Sequence, residues 1–342
     1  MIVQRRTFSA TETYQWTSRT LSAARTALDE FGFNEIVPAI LSSELEPGAF
    51  HSFGVLGNRI RPEYIELDGR EPERQVQVTG KEAYYLPVSH NFEKQQATEF
   101  LDRVYCLAPC VRLLQEGEAA SRKHLNTFFQ MEIEWKTESM EDVFDTAQAL
   151  LVRISNILLS VENGPSKLTS ISKKHLEAIA LGNYPRITFQ EALQLVEASP
   201  ERLSDLTFDE DQSLSLQFDR PFWIYNYPKG VRDAVYHEND QGNYDTYDLM
   251  LPFGYGELST GGIRPKTGEA IIQQSLDNLG EAKASLTMGH AEWKRARKIQ
   301  TAGFGIGFER LLRFVSGSTT VLDFVQPHDR GPNRTIPGMA SV

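Results

Sequence analysis

Near its end the chain reads Gly303-Phe-Gly-Ile-Gly-Phe-Glu-Arg-Leu-Leu-Arg-Phe-Val315. Glycine at every second position lets a strand lie close to a ligand or to another strand, and the apolar spacing that follows predicts a helix. The spacing differs from the G-x-G-x-x-G fingerprint of dinucleotide-binding folds. Arg310, near the start of the helix, could bind a phosphate. A surface arginine beside a glycine-packed strand explains the same pattern equally well.

Two further stretches, residues 103–112 and 127–137, alternate with period two and are separated by a polar segment. They predict an antiparallel strand pair with one buried face. The polar face carries Gln130, Glu132 and Glu134 beside Arg112. A guanidinium there could neutralise a phosphate, or it could form a cross-strand salt bridge.

Asp248 and Glu257 lie close in sequence, just before Ser259-Thr-Gly-Gly-Ile-Arg264. Two carboxylates on neighbouring backbone can hold a Mg²⁺ ion that bridges nucleotide phosphates. Ordinary surface acidity of an acidic protein is the alternative, and this signal alone does not decide between them.

The remaining patterns predict an α+β organisation. Ser9-x-x-Glu12 begins a helix that stops at Gly32, and a strand over Phe33–Val37 follows. A long amphipathic helix follows the strand pair, with apolar residues spaced by three and four from Val143 to Leu158. Residues 160–220 read as a more peripheral helical unit with an acidic loop over 205–211. Because strand-rich and helix-rich stretches are partly segregated, α+β is favoured over a parallel α/β fold.

Composition excludes several classes of protein. The 342 residues are 40% hydrophobic, which is ample for a core. No apolar run reaches the roughly 18 residues of a membrane span, and the first residues lack a signal peptide, so a cytoplasmic location is expected. Lys plus Arg number 35 and Asp plus Glu 46, and the net charge of −11 disfavours broad nucleic-acid binding. Cys106 and Cys110 can build no disulfide scaffold, and period two puts both in the core.

Taken in order, these features resemble motifs 1, 2 and 3 of the class II aminoacyl-tRNA synthetase catalytic domain, and the aspartyl and asparaginyl enzymes in particular. Leu86-Pro-Val-Ser-His-Asn-Phe-Glu-Lys-Gln95 is similar to their S-P-Q-L-x-K-Q segment. Arg103-Val-Tyr-Cys-Leu-Ala-Pro-Cys-Val-Arg112 resembles R-V-F-E-I-A-P-x-F-R. Lys123-His-Leu-Asn-Thr-Phe-Phe-Gln-Met-Glu-Ile-Glu134 resembles R-H-L-x-E-F-x-Q-x-D/E-x-E. Gly256-Glu-Leu-Ser-Thr-Gly-Gly-Ile-Arg264 resembles G-x-E-I-x-x-G-x-x-R.

The resemblance implies a mostly antiparallel sheet flanked by helices. Residues 1–342 would form one catalytic domain in which 160–220 is a helical insertion. Because the motif 1 counterpart begins near residue 10, we expect no N-terminal OB-fold. The motif 1 helix and strand form the dimer interface in that family, so a homodimer is expected.

By the same resemblance, the site binds an amino acid, ATP and Mg²⁺. Arg112 would bind the α-phosphate and Arg310 the γ-phosphate, and these two with Glu257 are the expected catalytic residues. Asp248 and Glu257 would hold Mg²⁺. The remaining ATP-site residues implied are His124, Phe128 (stacked on adenine) and Gly307.

The resemblance also implies the amino-acid pocket. Glu46 would receive the α-amino group, helped by Gln130, with Ser89 and Asn91 nearby. Lys94 and Arg264 would face the substrate's side chain, and Glu132 would orient Lys94. A carboxylate can use two cations whereas an amide would leave one unpaired, so aspartate is favoured over asparagine. Lys94 as a surface residue is the alternative.

The chain also departs from the family pattern. Leu114 stands where the family has a glutamate that contacts adenine, and the segment from Arg112 to His124 is longer. Glu116 or Glu118 could substitute. His90 replaces a proline, and a pocket role and a plain loop position are both open for it. The basic run Lys294-Arg-Ala-Arg-Lys298 reads as a solvated helix face.

The function expected from this resemblance is an ATP-dependent ligase. It would adenylate aspartate and transfer the acyl group to ammonia or another small amine without tRNA, as in the archaeal asparagine synthetase related to asparaginyl-tRNA synthetase. Loading of a tRNA with aspartate or asparagine is the first alternative. A non-catalytic regulator that binds amino acid and ATP is the second.

Overall fold

A computed structural model describes residues 8–44, 46, 52–56, 61–62, 76–77, 83–114, 123–160, 168–229, 231–232 and 236–325. Its helices are α1 (Ala10–Glu30), α2 (Asn91–Ala97), α3 (Met140–Ser160), α4 (Ser170–Ala180), α5 (Phe189–Leu195), α6 (Phe208–Ser215), α7 (Gly268–Leu279), α8 (Glu281–Ala284), α9 (Met288–Arg297) and α10 (Phe308–Ser316). Its strands are β1 (Asn34–Glu35), β2 (Gly54–Leu56), β3 (Arg61–Pro62), β4 (Val76–Gln77), β5 (Ala83–Tyr85), β6 (Arg103–Val111), β7 (Thr127–Trp135), β8 (Arg186–Thr188), β9 (Phe222–Pro228), β10 (Asn243–Leu251), β11 (Gly256–Ile263) and β12 (Ala302–Gly307).

One large sheet organises the chain. Its strands run in the order β1-β6-β7-β12-β11-β10-β9-β8. The six central strands are antiparallel, and the two edge strands β1 and β8 pair in parallel with their neighbours. Helices flank the sheet, so the predicted α+β class is confirmed, with a mixed rather than wholly antiparallel sheet.

The first helix begins as predicted. The Ser9 hydroxyl accepts from the Glu12 amide, and the Glu12 carboxylate accepts from the Ser9 amide, which satisfies two otherwise unpaired groups at the helix start. The strand predicted over Phe33–Val37 is shorter, because only Asn34 and Glu35 pair with β6.

Helix α3 is the core helix of the sheet. Among the described residues it alone has the length and apolar composition of a membrane span. Its apolar face is buried in the main core with α1 and the sheet, which is the usual reason for such a composition in a folded domain. The buried residues include Val143, Phe144, Leu150, Leu151 and Ile154.

The segment expected to be a peripheral helical unit is tied to the rest of the fold. Its strand β8 extends the large sheet. In α4, His175 stacks on Phe314 of α10 with ring centroids 4.4 Å apart, and its Nδ1 lies 2.7 Å from the Phe314 carbonyl oxygen. The acidic loop predicted over 205–211 is partly wrong, because a capping box of Thr207 and Glu210 begins helix α6 there. The expected linker at 162–167 lies outside the described residues.

The prediction of one buried face for the β6–β7 pair is wrong, because both faces are buried. Glu132 and Glu134 are only 2% and 0% exposed. The two cysteines are buried as expected, but they share the face of these acids rather than the apolar core. Cys106 pairs opposite Glu132, and Cys110 Sγ lies 3.3 Å from Gln130 Oε1. This second face is covered in part by α2, which carries a cation to the acids.

The alternating glycines of β12 face the alternating polar residues of β7. In the ladder Gly303 is opposite Glu134, Gly305 opposite Glu132, and Gly307 opposite Gln130. Directly opposed residues of an antiparallel pair project on the same face, so the missing side chains leave room for the acids. The fit is tightest at Gly303, where a Cβ would lie 1.9 Å from Glu134 Oε2 and 2.3 Å from the Ile133 carbonyl oxygen.

Replacing Gly303 by Ala should therefore destabilise the fold, by about 3 kcal/mol, because backbone and a buried carboxylate must both shift. Gly305→Ala is the matched control: its Cβ would meet only the ends of the Gln130 and Glu132 side chains, at 3.3 Å. Urea unfolding of both variants measures the difference. Equal losses of unfolding free energy would contradict this explanation of the glycine pattern.

Candidate active site

The polar face of β6, β7, β11 and β12 gathers most of the residues expected in the site. At one end lie Lys94, Glu132, Glu134 and Arg264, which we name the buried charge cluster. At the other end lie Arg310 and Glu257. Arg112 stands at the end of β6, beside Phe128.

Short contacts connect the buried charge cluster. Lys94 Nζ lies 2.6 Å from Glu132 Oε2 and 3.7 Å from Glu134 Oε2. Arg264 binds Glu134 with two groups, Nε to Oε1 at 3.0 Å and Nη2 to Oε2 at 2.8 Å. The contact predicted between Glu132 and Lys94 is therefore present. Burial alone would raise the pKa of Glu132, but Lys94 outweighs it and lowers that pKa to about 2.

Neighbouring donors occupy the remaining acceptor positions of both acids. Glu132 Oε1 accepts from Ser89 Oγ at 2.6 Å and from the His90 amide at 3.3 Å. Glu134 Oε1 accepts from Thr301 Oγ1 at 2.7 Å. Arg264 keeps donor capacity, because no described residue accepts a hydrogen bond from its Nη1. Lys94 Nζ, in contrast, also donates to the Phe304 carbonyl oxygen at 3.4 Å. The cluster therefore presents donors to a ligand.

The partner of Arg264 was missed by the sequence reasoning. Glu134 was placed on the correct face by period two, but Arg264 lies 130 residues further on, and only the pairing of β7 with β12 and β11 brings the two together. The sequence did contain one signal for this buried polar face. It is the alternation of Gln130, Glu132 and Glu134, which matches the three alternating glycines of β12.

The residues expected around the amino group also converge. The Asn91 amide donates to Glu46 Oε1 at 2.7 Å, where α2 begins. Burial, and then Glu132, raise the pKa of Glu46. Gln130 lies on the same face, held at its Oε1 by Cys110.

His90 is buried and contacts two acceptors, and it also lines a cavity together with Glu46 and Ser89. Its Nδ1 lies 3.1 Å from Glu93 Oε2 and its Nε2 lies 3.2 Å from the Pro109 carbonyl oxygen. Both partners are acceptors, which suits the doubly protonated ring. Burial opposes that charge, but Glu93, Glu132 and the Pro109 carbonyl together outweigh burial and raise the pKa of His90. The His90 side chain therefore links α2 to β6.

Arg112 forms no salt bridge with a described carboxylate, so the cross-strand pair considered for it is absent from the described residues. Its Nε donates to the Val88 carbonyl oxygen at 3.0 Å, and its guanidinium lies 5.1 Å from the centre of the Phe128 ring. The side chain is exposed at the mouth of the site. Leu114, beyond it, donates its amide to Asn126 Oδ1 at 3.0 Å, and Glu116 and Glu118 lie outside the described residues.

Arg310 and Glu257 form an ion pair, with Nη1 2.8 Å from Oε1. Burial alone would raise the pKa of Glu257, but Arg310, and then Lys123, hold it below its ordinary range. Gly307 lies under the Arg310 side chain, whose Cδ would be 3.2 Å from a Cβ there. Burial, with Arg310 and Lys123, lowers the pKa of His124 to about 3, which keeps the imidazole neutral.

Both carboxylate oxygens of Asp248 already have protein partners. Its Oδ2 accepts from Tyr227 at 2.7 Å and pairs with Arg232, and its Oδ1 accepts from Thr260 at 2.6 Å. The Thr260 hydroxyl also lies 3.3 Å from Glu257 Oε1, so it links the two acids. The described residues contain no group of three metal-binding side chains. Two carboxylates still fit Mg²⁺, which commonly takes one or two together with phosphate oxygens, and Glu257 is the less encumbered.

The basic run before β12 is not simply a solvated face. Lys294 is 1% exposed and its Nζ donates to the Ile299 carbonyl oxygen at 2.5 Å. Burial lowers the pKa of Lys294 to about 8. Arg295 and Arg297 are half-exposed, and each pairs with a glutamate, Glu269 and Glu99.

A family model described as tRNA synthetases class II (D, K and N) matches residues 2–326. The chain belongs to this family. It is 26% identical to an asparagine–tRNA ligase of Pyrococcus abyssi over 68% of the chain and 53% of the relative. It is 28% identical to that of Microcystis aeruginosa over 92% of the chain and 70% of the relative. The chain thus spans about half the length of the Pyrococcus relatives it matches.

Solved structures share the fold. Asparaginyl-tRNA synthetase from Pyrococcus horikoshii, complexed with asparaginyl-adenylate, superposes with a TM-score of 0.76 at 22% identity. The match covers 93% of this chain and 68% of that one. The predicted class II fold and the aspartyl/asparaginyl subgroup are therefore confirmed.

One further buried acid of this class II synthetase domain follows the third glycine of β12. Glu309 receives the Phe129 amide on both carboxylate oxygens, at 3.2 and 3.0 Å. It joins the start of α10 to β7 beside Phe128. Burial raises the pKa of Glu309 from 4.5 to about 7.

This pKa predicts a pH-dependent stability. Between pH 4.5 and 7 the folded protein holds a proton that the unfolded chain releases, so the free energy of unfolding falls as the pH rises. Glu309→Gln removes this titration. The unfolding free energy of the variant minus that of the parent should therefore rise by about 3 kcal/mol from pH 4.5 to pH 8. Urea titrations at several pH values measure it, and a difference independent of pH contradicts the assignment.

Proposed function

We propose that this chain binds aspartate and MgATP and activates an aspartate carboxylate as an acyl adenylate, which ammonia or another small amine then attacks. In the first step a carboxylate oxygen bonds to the α-phosphorus and pyrophosphate leaves. In the second step the amine nitrogen bonds to the acyl carbon, loses a proton and releases AMP. The observation that carries the proposal is the buried charge cluster.

The cluster supports a carboxylate ligand through its donors. Glu132 and Glu134 are saturated by Lys94, Ser89, Arg264 and Thr301, whereas Arg264 Nη1 has no described acceptor. A carboxylate offers only acceptors and can use such donors. The amide of asparagine would direct N–H groups at them, which leaves buried donors unsatisfied. Aspartate is therefore favoured.

The other residues have positional roles in this proposal. Arg112 binds the α-phosphate and Arg310 the γ-phosphate, and Glu46 receives the α-amino group. Glu257, with Asp248, would hold Mg²⁺, which when bound neutralises phosphate charge. Catalysis then rests on positioning and electrostatic stabilisation, with no covalent bond between enzyme and substrate.

ATP–pyrophosphate exchange with a panel of amino acids tests the first step whatever the acceptor. We expect exchange with aspartate well above that with asparagine. Silence with every amino acid would overturn the proposal and favour a binding protein without catalysis.

The acceptor requires a second experiment. Incubation with aspartate, MgATP and ammonium or a panel of small amines should yield AMP and the matching amide. If pyrophosphate exchange occurs but no amine yields AMP and an amide, the adenylation step stands and the amide-synthetase step is wrong.

A second candidate function is the charging of tRNA. It is favoured by the relatives, which are asparagine–tRNA ligases, so the comparisons lend no support to the expectation that tRNA is an unlikely partner. Acid-gel detection of aminoacyl-tRNA, with aspartate and with asparagine, separates the two functions.

Lys94→Gln should lower kcat/KM for aspartate in the exchange assay about 100-fold, since a buried charged donor to the substrate is lost. Lys136→Gln, which removes an exposed lysine paired with Asp102, is the matched control and should have no effect.

A double variant separates substrate contact from charge balance. Lys94→Gln with Glu132→Gln leaves no unpaired acid. Exchange should stay low in it if Lys94 contacts aspartate. Recovery of exchange would show that Lys94 serves only to neutralise Glu132.

A further inference from the structure

Helix α6 delivers a buried acid to the nucleotide end of the site. Asp211, in its first turns, forms an ion pair with Lys123 through Oδ2 and Nζ. The side chains are only 7% and 9% exposed. Phe208, one turn earlier on α6, lies under the same ammonium, with Nζ 5.4 Å from the ring centre. One face of α6 therefore fixes Lys123.

Lys123 belongs to the neighbourhood of the phosphate-binding candidates. Its carbonyl oxygen accepts from Arg310 Nε at 3.4 Å. It precedes His124, and its charge contributes to the lowered pKa values of both His124 and Glu257. The Lys123 backbone therefore contacts Arg310, which is proposed to bind the γ-phosphate. The Lys123 ammonium adds positive charge near Glu257 and His124.

The backbone makes room for this acid. Gly256, directly before Glu257, has φ +72°, a conformation that glycine adopts without strain. A Cβ there would lie 2.5 Å from Asp211 Oδ2. Asp211 Oδ1 is buried and has no hydrogen-bond partner among the described residues. The carboxylate thus occupies a fitted position between α6 and the start of β11.

We propose that Asp211 is a positioning residue for the triphosphate of ATP. Its carboxylate holds the Lys123 ammonium at the place where the β- and γ-phosphates bind. A lysine has four rotatable bonds, and an anchor that fixes them before ATP arrives removes an entropic cost of binding. Asp211 also repels phosphate directly. The proposal requires the positioning effect to outweigh this repulsion, and the MgATP affinity of Asp211→Asn measures which of the two is larger. The inference rests on the proposed nucleotide site.

Calorimetric titration with MgATP and with AMP, without amino acid, tests the inference. Asp211→Asn should weaken MgATP binding about tenfold and leave AMP affinity within about twofold, because AMP lacks the far phosphates. A general loss of structure would instead weaken both nucleotides. Asp209→Asn is the matched control: it removes an exposed acid from the same helical turn and should bind both nucleotides like the parent.

Coupling to Lys123 is the second readout. Lys123→Gln should also weaken MgATP selectively, and the double variant should bind no more weakly than Lys123→Gln alone, because Asp211 acts through this lysine. Additive losses would contradict the proposal, as would unchanged or tighter MgATP binding by Asp211→Asn. If Asp211→Asn does not fold, Lys123→Gln decides: unchanged ATP affinity overturns the inference.

These titrations separate the inference from the proposed function. A parent protein that binds MgATP but shows no exchange with any amino acid would overturn adenylation. The role of Asp211 would still be judged on nucleotide affinity.

Discussion

The pairing of β12 with β7 is the constraint on which the site depends. It places three glycines opposite three polar residues on one face of the sheet, and only strands without side chains there leave space for Glu132 and Glu134. The opposite face of the same strands carries Phe304 and Ile133 into the core. One ladder therefore separates an apolar core from a buried, charged pocket.

Buried acids require partners, and the fold supplies them from distant segments. Lys94 comes from α2 and Arg264 from the residue after β11. A buried ion pair rarely adds stability compared with apolar packing, whereas the loss of one partner costs several kcal/mol. The cluster therefore contributes little to the stability of the fold. We propose that its arrangement serves ligand selection, because both acids are saturated whereas Arg264 Nη1 has no acceptor among the described residues.

Local patterns predicted the elements that short-range physics determines. The capping box of Ser9 and Glu12, the β6–β7 pair and the glycine strand with its helix are all present as expected. Period two placed Glu132 and Glu134 on the correct face. The family resemblance supplied the residues that meet there.

Long-range partners could not be predicted in this way. Period two does not show that α2 covers the polar face, so the acids were expected to be less buried than they are. Arg232 binds Asp248 through a contact that depends on the arrangement of β9 and β10. Asp211 was expected in a loop, and its meeting with Lys123 requires the packing of α6 on β11.

The central claim is that the buried charge cluster selects a carboxylate. Calorimetric titration of the protein, saturated with Mg²⁺ and a non-hydrolysable ATP analogue, with aspartate and with the nearly isosteric asparagine tests it most directly. The account predicts that aspartate binds at least tenfold more tightly, a difference of about 1.4 kcal/mol. Equal affinity, or tighter binding of asparagine, would contradict it.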